Sequence, residues 1–448
     1  MDYAIPTGIL LVTGVVLALV AQRKGWNPSW VVILGVGIGL RVLVMAMSAL
    51  DTWQPVDFVQ SFQPAGEAVL ARRDPVLEGN HGWHFLPTIP YVYALLLWTG
   101  IPWEWAGRLV TVVCDVILIP LVGKLAGGEK ASLRAFQYAC NPLAVLVASV
   151  HGQVEPVSLV FGVAAFVVAR NARTERPVRN AILAGLLMGL ALCAKSWPIW
   201  LVPGMLLFLP TLPTSPGPRV GSPTLLGRAY AYAYASRARA YALVATGVAP
   251  IFFLVTLPIG AGTALSEIPE VIRIIGDVRP IVGEWGWTAI AVDGQWTLDA
   301  GLARIGQYLI YGTLLVVLFL WRKADPIDLT TALLLAFMVV TPRLGAQYLL
   351  WFMPFLVARP TRFAWPAIIG CSLWAGAGYL YLTQYIGADW AALHSPWAKS
   401  SIILLPILAA ALPWERMRAG SRAWEERTRR DDGKDLAEPD AVSEPRPA

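Results

Sequence analysis

Charge is scarce in this chain. Asp, Glu, Lys and Arg make up 14% of its 448 residues, whereas an ordinary soluble domain carries about a quarter. Hydrophobic residues make up 56%. Together these two proportions exclude a water-soluble globular protein and predict an integral membrane protein.

Cysteine is scarce as well, and the four cysteines show no CxxC spacing. They lie inside apolar segments, at Cys114, Cys140, Cys193 and Cys371. This pattern excludes a disulfide framework and a zinc site, and it predicts four small buried side chains. The chain also lacks a glycine-rich phosphate loop and any visible internal repeat.

The net charge of +6 arises from basic residues in short connections and in the C-terminal tail. Basic residues at these positions are typical of membrane topology. Nucleic acid is therefore not an expected partner, whereas membrane lipids are.

Long apolar segments fill most of the chain, and a helix needs about 20 such residues to cross a bilayer. The candidate spans are 3–21, 29–50, 105–126, 134–150, 154–170, 180–194, 196–211, 240–260, 305–321, 326–341, 346–358, 363–383 and 396–413. Several of them are short. They predict an all-α polytopic membrane protein with about 11–14 transmembrane helices, which forms one domain over residues 1–413.

Placing the basic connections in the cytoplasm satisfies the positive-inside rule. Two long loops, 51–104 and 261–304, then lie outside the cell membrane. Segment 86–101 is predicted to be a re-entrant or interfacial helix, because a full crossing would move every later basic loop outside. The polar stretch 414–448 is predicted to be a cytoplasmic tail, basic beside the membrane and disordered at its end.

The first long loop begins with two carboxylates, Asp51 and Asp57, directly after a predicted span. The dielectric falls at that junction, so the protonation of a carboxylate there can be tuned for proton abstraction. Asp57 is the first choice as a general base and Asp51 the second. A solvated loop acid is the alternative for either residue.

Several short motifs occur in a characteristic order between residues 29 and 360. They are Asp57-Phe58, Arg73-Asp74-Pro75-Val76, Trp83-His84-Phe85-Leu86-Pro87, Asn141-Pro142, His151-Gly152-Gln153-Val154-Glu155, Lys195-Ser196-Trp197-Pro198 and Thr341-Pro342-Arg343 with Gln347-Tyr348-Leu349-Leu350-Trp351. This order resembles the GT-C class of membrane glycosyltransferases. It is most similar to the polyprenyl-phosphate-mannose-dependent mannosyltransferases, which include the family-87 glycosyltransferases and the mannosyltransferase of GPI-anchor assembly.

The resemblance implies a GT-C-like bundle with short helices in the first long loop. It also implies a polyprenyl-phosphate-linked sugar donor, used on the extracytoplasmic face. The acceptor hydroxyl would belong to a glycolipid, a glycan or a protein. No cofactor is required by this chemistry, although a divalent cation bound by Asp51 and Asp57 is compatible with it.

Two cations suit the departing phosphate. Lys195 lies between two apolar runs, where an unpaired ammonium is costly and therefore indicates function, and Arg343 offers a planar guanidinium at the end of span 326–341. The alternative for Lys195 is extension of its side chain to the interface, and for Arg343 it is topological anchoring.

Further substrate-binding candidates lie in the same motifs. They are His84, His151, Gln153, Glu155, Gln347 and Tyr348. The turn 151–155 suits sugar hydroxyls or phosphate, with a purely structural turn as the alternative. Gln347 and Tyr348 are expected in the donor groove, with a helix cap as the alternative for the amide.

In the second long loop, Glu284 to Trp287 and Asp293 to Trp296 combine aromatic faces with polar groups, which fits either sugar contact or an interfacial tryptophan belt.

Arg41 and Asp115 fall near the middle of their spans, so we expect them to pair across helices in a structural role. The leading functional hypothesis is an inverting glycosyltransferase with an aspartate base. A transporter or flippase of lipid-linked sugars is the alternative, and a purely structural membrane protein is the third.

Overall fold

The computed structural model describes residues 3–78, 83–172, 176–209, 225–276, 285–292, 299–382 and 390–417. Throughout these residues the regular structure is helical, and they contain no strand. The chain is thus an α-helical polytopic membrane protein. Seven helical segments of the described residues are long and apolar enough to cross a membrane. They are Ala4–Lys24, Trp30–Ala49, Trp103–Ala126, Pro177–Ala194, Arg237–Gly260, Ala300–Leu320 and Leu393–Arg416.

The α-helices follow one another from α1 to α19. They are α1 Ala4–Lys24, α2 Trp30–Ala49, α3 Gln63–Leu70, α4 Thr88–Trp98, α5 Trp103–Ala126, α6 Ala131–Ala139, α7 Pro142–Val145, α8 Glu155–Asn171, α9 Pro177–Ala194, α10 Val202–Phe208, α11 Leu225–Gly260, α12 Ile268–Gly276, α13 Trp287–Val292, α14 Ala300–Leu320, α15 Pro326–Val340, α16 Met353–Ala358, α17 Ala364–Leu380, α18 Trp390–Ser400 and α19 Leu404–Ala410.

Several predicted spans are broken in the structure. Within the predicted span 134–150, helix α6 ends at Ala139 and helix α7 begins at Pro142. A π-helical turn, Leu146–His151, follows α7. The side chain of Asn141 accepts hydrogen bonds from the backbone N–H groups of Leu143 and Ala144 and so caps the new helix. Proline favours the first helical turn and interrupts a helix interior, which explains the break.

Helix α11 departs from the prediction in the other direction. It has 36 residues and begins at Leu225, well before the expected start at residue 240. At about 1.5 Å per residue it is about 54 Å long, more than the hydrocarbon core of a bilayer.

The centre of the bundle is closely packed. A Cβ atom on Gly189 would lie 2.7 Å from the carbonyl oxygen of Thr246, so only glycine lets α9 and α11 approach so closely. The four cysteines are free, and three of them are buried, whereas Cys114 is half-buried.

The predicted ion pair between Arg41 and Asp115 is confirmed. The Nε atom of Arg41 lies 2.6 Å from Oδ2 of Asp115, and both side chains are fully buried. Arg41 also donates to the carbonyl of Ala139 at 2.8 Å, and the hydroxyl of Tyr138 donates to Asp115 at 2.7 Å. The pair therefore joins α2, α5 and α6.

The two long loops meet at one end of the bundle, which we call the site end. Thr263 of the second loop donates its hydroxyl to Oδ2 of Asp74 in the first loop at 2.5 Å. Helix α4 has 11 residues, too few to cross a bilayer alone. Its first residue, Thr88, donates to the carbonyl of Cys193 at the end of α9, at 2.7 Å. The loop helix is thus attached to the helix end that precedes Lys195.

Ion pairs connect elements at the opposite end of the bundle. Asp328, in the first turn of α15, accepts hydrogen bonds from Arg359 at 2.8 Å and from Arg416 at 3.1 Å. Arg416 also donates to the carbonyl of Pro360 at 2.7 Å. The tail 414–448 was predicted to be basic and then disordered. Its first residues, Trp414–Arg416, form a short 3-10 helix, and residues 418–448 lie outside the described part of the chain.

Candidate functional site

The turn between the π-helical turn Leu146–His151 and α8 forms the centre of the candidate site. Gly152 ends the π turn with φ at +69°, a left-handed conformation that favours glycine. The backbone N–H of Gln153 then donates to the carbonyl of Val147 at 3.1 Å. This compact reversal places His151, Gln153 and Glu155 side by side at the site end.

Asp57 lies against this turn. The Nε2 atom of Gln153 donates to Oδ2 of Asp57 at 2.9 Å, and Nε2 of His151 lies 4.0 Å from the same oxygen. The side chain of Asp57 is 54% exposed, whereas that of His151 is 11% exposed. One side of the carboxylate is therefore fixed by the protein and the other is open to a reactant, as a general base requires.

Lys195 and Glu155 form a buried ion pair beside the turn. Glu155 is the first residue of α8, and Lys195 follows the last residue of α9. Burial is the largest single influence on the pKa of Lys195 and lowers it, but Glu155, Tyr348 and Asp57 together outweigh that effect, so the pKa lies above its usual value. Lys195 therefore stays cationic, and its charge is balanced within the protein.

Aromatic rings surround the Lys195 ammonium. The ring centroids of Phe85 and Tyr348 each lie 5.2 Å from its Nζ atom. Trp351 lies 4.7 Å from Tyr348 and stacks on Trp197 at 4.4 Å, with the two indole planes 8° apart. The motifs around Lys195 and Gln347 thus form one aromatic surface.

The acid and the two cations share one end of the molecule. Asp57 lies within electrostatic range of Lys195, and Arg343 lies within electrostatic range of Tyr348. Burial lowers the pKa of the half-buried Arg343, while Tyr348 acts in the opposite sense. Tyr348 therefore acts electrostatically on both cations, Lys195 and Arg343.

Three further predicted residues are Asp51, His84 and Gln347. Asp51 accepts the backbone N–H of Trp53 at 2.8 Å and so stabilises the turn after α2. His84 is half-buried in the segment before α4, and the side chain of Gln347 folds back over Gly345. The hydrogen bond from Trp53 thus gives the Asp51 side chain a structural role in the turn after α2.

The tryptophans of the second long loop act as anchors. Trp285 is fully buried, and its indole donates to the carbonyl of Met338 at 2.7 Å. Trp287 donates to the carbonyl of Val340 at 3.1 Å. Both contacts attach the loop to the end of α15 that precedes Arg343. The polar partners proposed with them, Glu284, Asp293, Gln295 and Trp296, lie outside the described residues.

Sequence reasoning missed Arg108. This fully buried residue contacts both the first long loop and the π turn. Its signal in the sequence is the spacing of Arg108, Thr111 and Asp115, which places three polar side chains on one face of the apolar helix α5. Of these three residues, the sequence analysis identified only Asp115.

Within the described residues, no group of three or more His, Cys, Asp or Glu side chains is arranged to bind a metal ion. The cluster brings together the carboxylate of Asp57, the Lys195–Glu155 pair and the aromatic rings of Phe85, Tyr348, Trp351 and Trp197. No protein-family model, curated protein or solved structure matches this chain.

Proposed function

We propose that this protein is a GT-C-type glycosyltransferase. It would transfer a sugar, in the first instance mannose, from a polyprenyl-phosphate donor to an acceptor hydroxyl on the extracytoplasmic face. The observation that supports this proposal is the half-exposed Asp57 carboxylate, bound by Gln153 and within electrostatic range of Lys195. An acid and cations at one end of a membrane bundle suit a substrate with a polar head and a lipid tail.

The reaction needs one carboxylate. Asp57 takes the proton of the acceptor hydroxyl while the acceptor oxygen attacks the anomeric carbon. The bond between that carbon and the phosphate oxygen breaks, and polyprenyl phosphate leaves with the bonding electrons. Direct displacement inverts the anomeric centre, so no covalent sugar–enzyme intermediate forms.

The cations would act on the leaving phosphate. Arg343 suits it because a guanidinium donates two parallel hydrogen bonds to phosphate oxygens. Lys195 is already paired with Glu155, so its contribution would come from the N–H donors that Glu155 does not use. A divalent cation is not needed for this scheme.

The proposal is tested with membranes or purified protein and radiolabelled polyprenyl-phosphate mannose. Glycolipids, glycans and Ser/Thr peptides are offered as acceptors. Asp57→Asn keeps the shape of the side chain but cannot take a proton, so transfer should be abolished while expression is unchanged. Glu67→Gln is the matched control, because Glu67 is an exposed acid of the same loop whose carboxylate accepts a hydrogen bond from Gln63 at 2.8 Å.

Full transfer by Asp57→Asn would remove Asp57 from the mechanism. If the wild-type protein in vesicles moves the lipid-linked sugar across the bilayer and transfers nothing, the protein is a transporter of lipid-linked sugars and the proposal is wrong.

A further inference from the structure

We infer that Arg108 is a positioning residue that sets the orientation of Asp57 relative to its partners in the turn 151–155. This inference rests on the proposed function, since it gives Arg108 a purpose in the same site.

Arg108 donates to both segments that carry the site. Its Nη2 atom donates to the side-chain oxygen of Gln54 at 2.7 Å, three residues before Asp57. Nε and Nη2 both donate to the carbonyl of Val150, at 3.1 and 2.9 Å, directly before His151. One guanidinium therefore fixes the loop that carries Asp57 to the turn that carries its partners.

Phe58, the residue after Asp57, is enclosed in a slot around the same guanidinium. The Cζ atom of Arg108 lies 4.4 Å from the centre of the Phe58 ring. A Cβ atom on Gly107 or Gly152 would lie 2.5 or 2.7 Å from that ring, so only glycine leaves room for it. Trp103 packs on the ring at 4.7 Å and donates its indole N–H to the Phe58 carbonyl at 3.0 Å. Asp57 thus lies between Gln54 and Phe58, whose positions are both fixed by contacts with Arg108.

The cost of burying this charge indicates that its position matters. Arg108 has no exposed surface, and its hydrogen bonds go to neutral oxygens of Gln54, Glu104 and Val150. A buried cation without a carboxylate in hydrogen-bond contact is costly within a membrane. A guanidinium compensates by offering five donors in a planar arrangement, and Arg108 uses them to bind the Gln54 side chain and the Val150 and Glu104 carbonyls together.

The test compares Arg108→Met with Arg41→Met in the transfer assay. Both arginines are fully buried, but the hydrogen bonds of Arg41 go to Gly37, Asp115 and Ala139, which belong neither to the loop nor to the turn. We expect Arg108→Met to lower kcat per folded molecule on the order of 100-fold, as a misplacement of about 1 Å does. The KM for the donor should stay unchanged, and Arg108→Lys should restore part of the loss. Arg41→Met should lower the yield of folded protein and leave its kcat unchanged.

Hydrogen–deuterium exchange of residues 51–62 gives a second measurement that does not depend on transfer. Exchange in this segment should accelerate in Arg108→Met and stay at the wild-type rate in Arg41→Met. If Arg108→Met does not fold, Gln54→Met replaces it. That variant removes the acceptor of Arg108 and the hydrogen bonds that the Gln54 amide donates to the carbonyls of Ser48 and Asp51, and it leaves the Val150 bonds. It should show a smaller loss of kcat in the same direction.

Two results would overturn the inference: wild-type exchange of residues 51–62 in Arg108→Met, or a kcat equal to that of Arg41→Met. Absence of transfer by the wild type contradicts the proposed function instead, and the exchange experiment then still decides whether Arg108 fixes the loop.

Discussion

The buried pair Lys195–Glu155 makes a quantitative prediction. Lys195 is 5% exposed and Glu155 is fully buried, so solvent screens their interaction very little. Removing one partner of such a pair leaves an uncompensated buried charge and costs about 3–5 kcal/mol of folding free energy. Glu155→Gln and Lys195→Met are therefore each expected to be strongly destabilising. The double variant, which leaves neither charge, should recover most of that loss.

The measurement is equilibrium unfolding of the purified protein in detergent, with all four members of the double-mutant cycle. Glu78→Gln is the control, because the Arg73–Glu78 pair has side chains 58% and 47% exposed and such pairs contribute about 0–1 kcal/mol. Two results would refute this account of the pair. One is a single variant that is as stable as the wild type; the other is a double variant that is no more stable than the less stable single variant.

Two further predictions concern charge. Asp115→Asn leaves the Arg41 guanidinium buried without its carboxylate, so it should cost about 3–5 kcal/mol of stability and leave kcat per folded molecule unchanged; a specific loss of kcat would contradict the structural role. The pKa of Lys195 is raised above its usual value, so the pair's stabilisation is fully present below the unfolded-state pKa of about 10.4 and is lost as pH rises through the folded-state pKa. The stability difference between the wild type and the double variant should thus be constant from about pH 8 to 10 and shrink above about 10.4, whereas a decline near pH 9 would show a lowered pKa.

Contacts fixed by local pattern were predictable from the sequence. Apolar length placed most of the helices, and the depth of Arg41 and Asp115 in their spans was enough to predict their pairing, because a lone charge at that depth is costly. The turn 151–155 was identified as a polar reversal between two spans, and the structure brings its amide to Asp57.

Contacts between distant segments were not predictable in the same way. Lys195 and Glu155 are 40 residues apart, and their meeting depends on how the end of α9 packs beside the start of α8. Arg108 was overlooked because it lies near the end of a span, where a cation normally reaches the interface. The carbonyl that it binds belongs to a π turn, and nothing in the apolar pattern of segment 134–150 distinguishes such a turn from a regular helix.

Helix α5 carries Arg108 and Asp115 on one face, seven positions apart. The first contacts the loop before Asp57, and the second contacts α2 and α6. A helix turns by about 100° per residue, so a single inserted residue between these positions would rotate one contact set away from its partners. The two turns of α5 between Arg108 and Asp115 therefore fix how the first long loop is rotated relative to the buried Arg41–Asp115 pair.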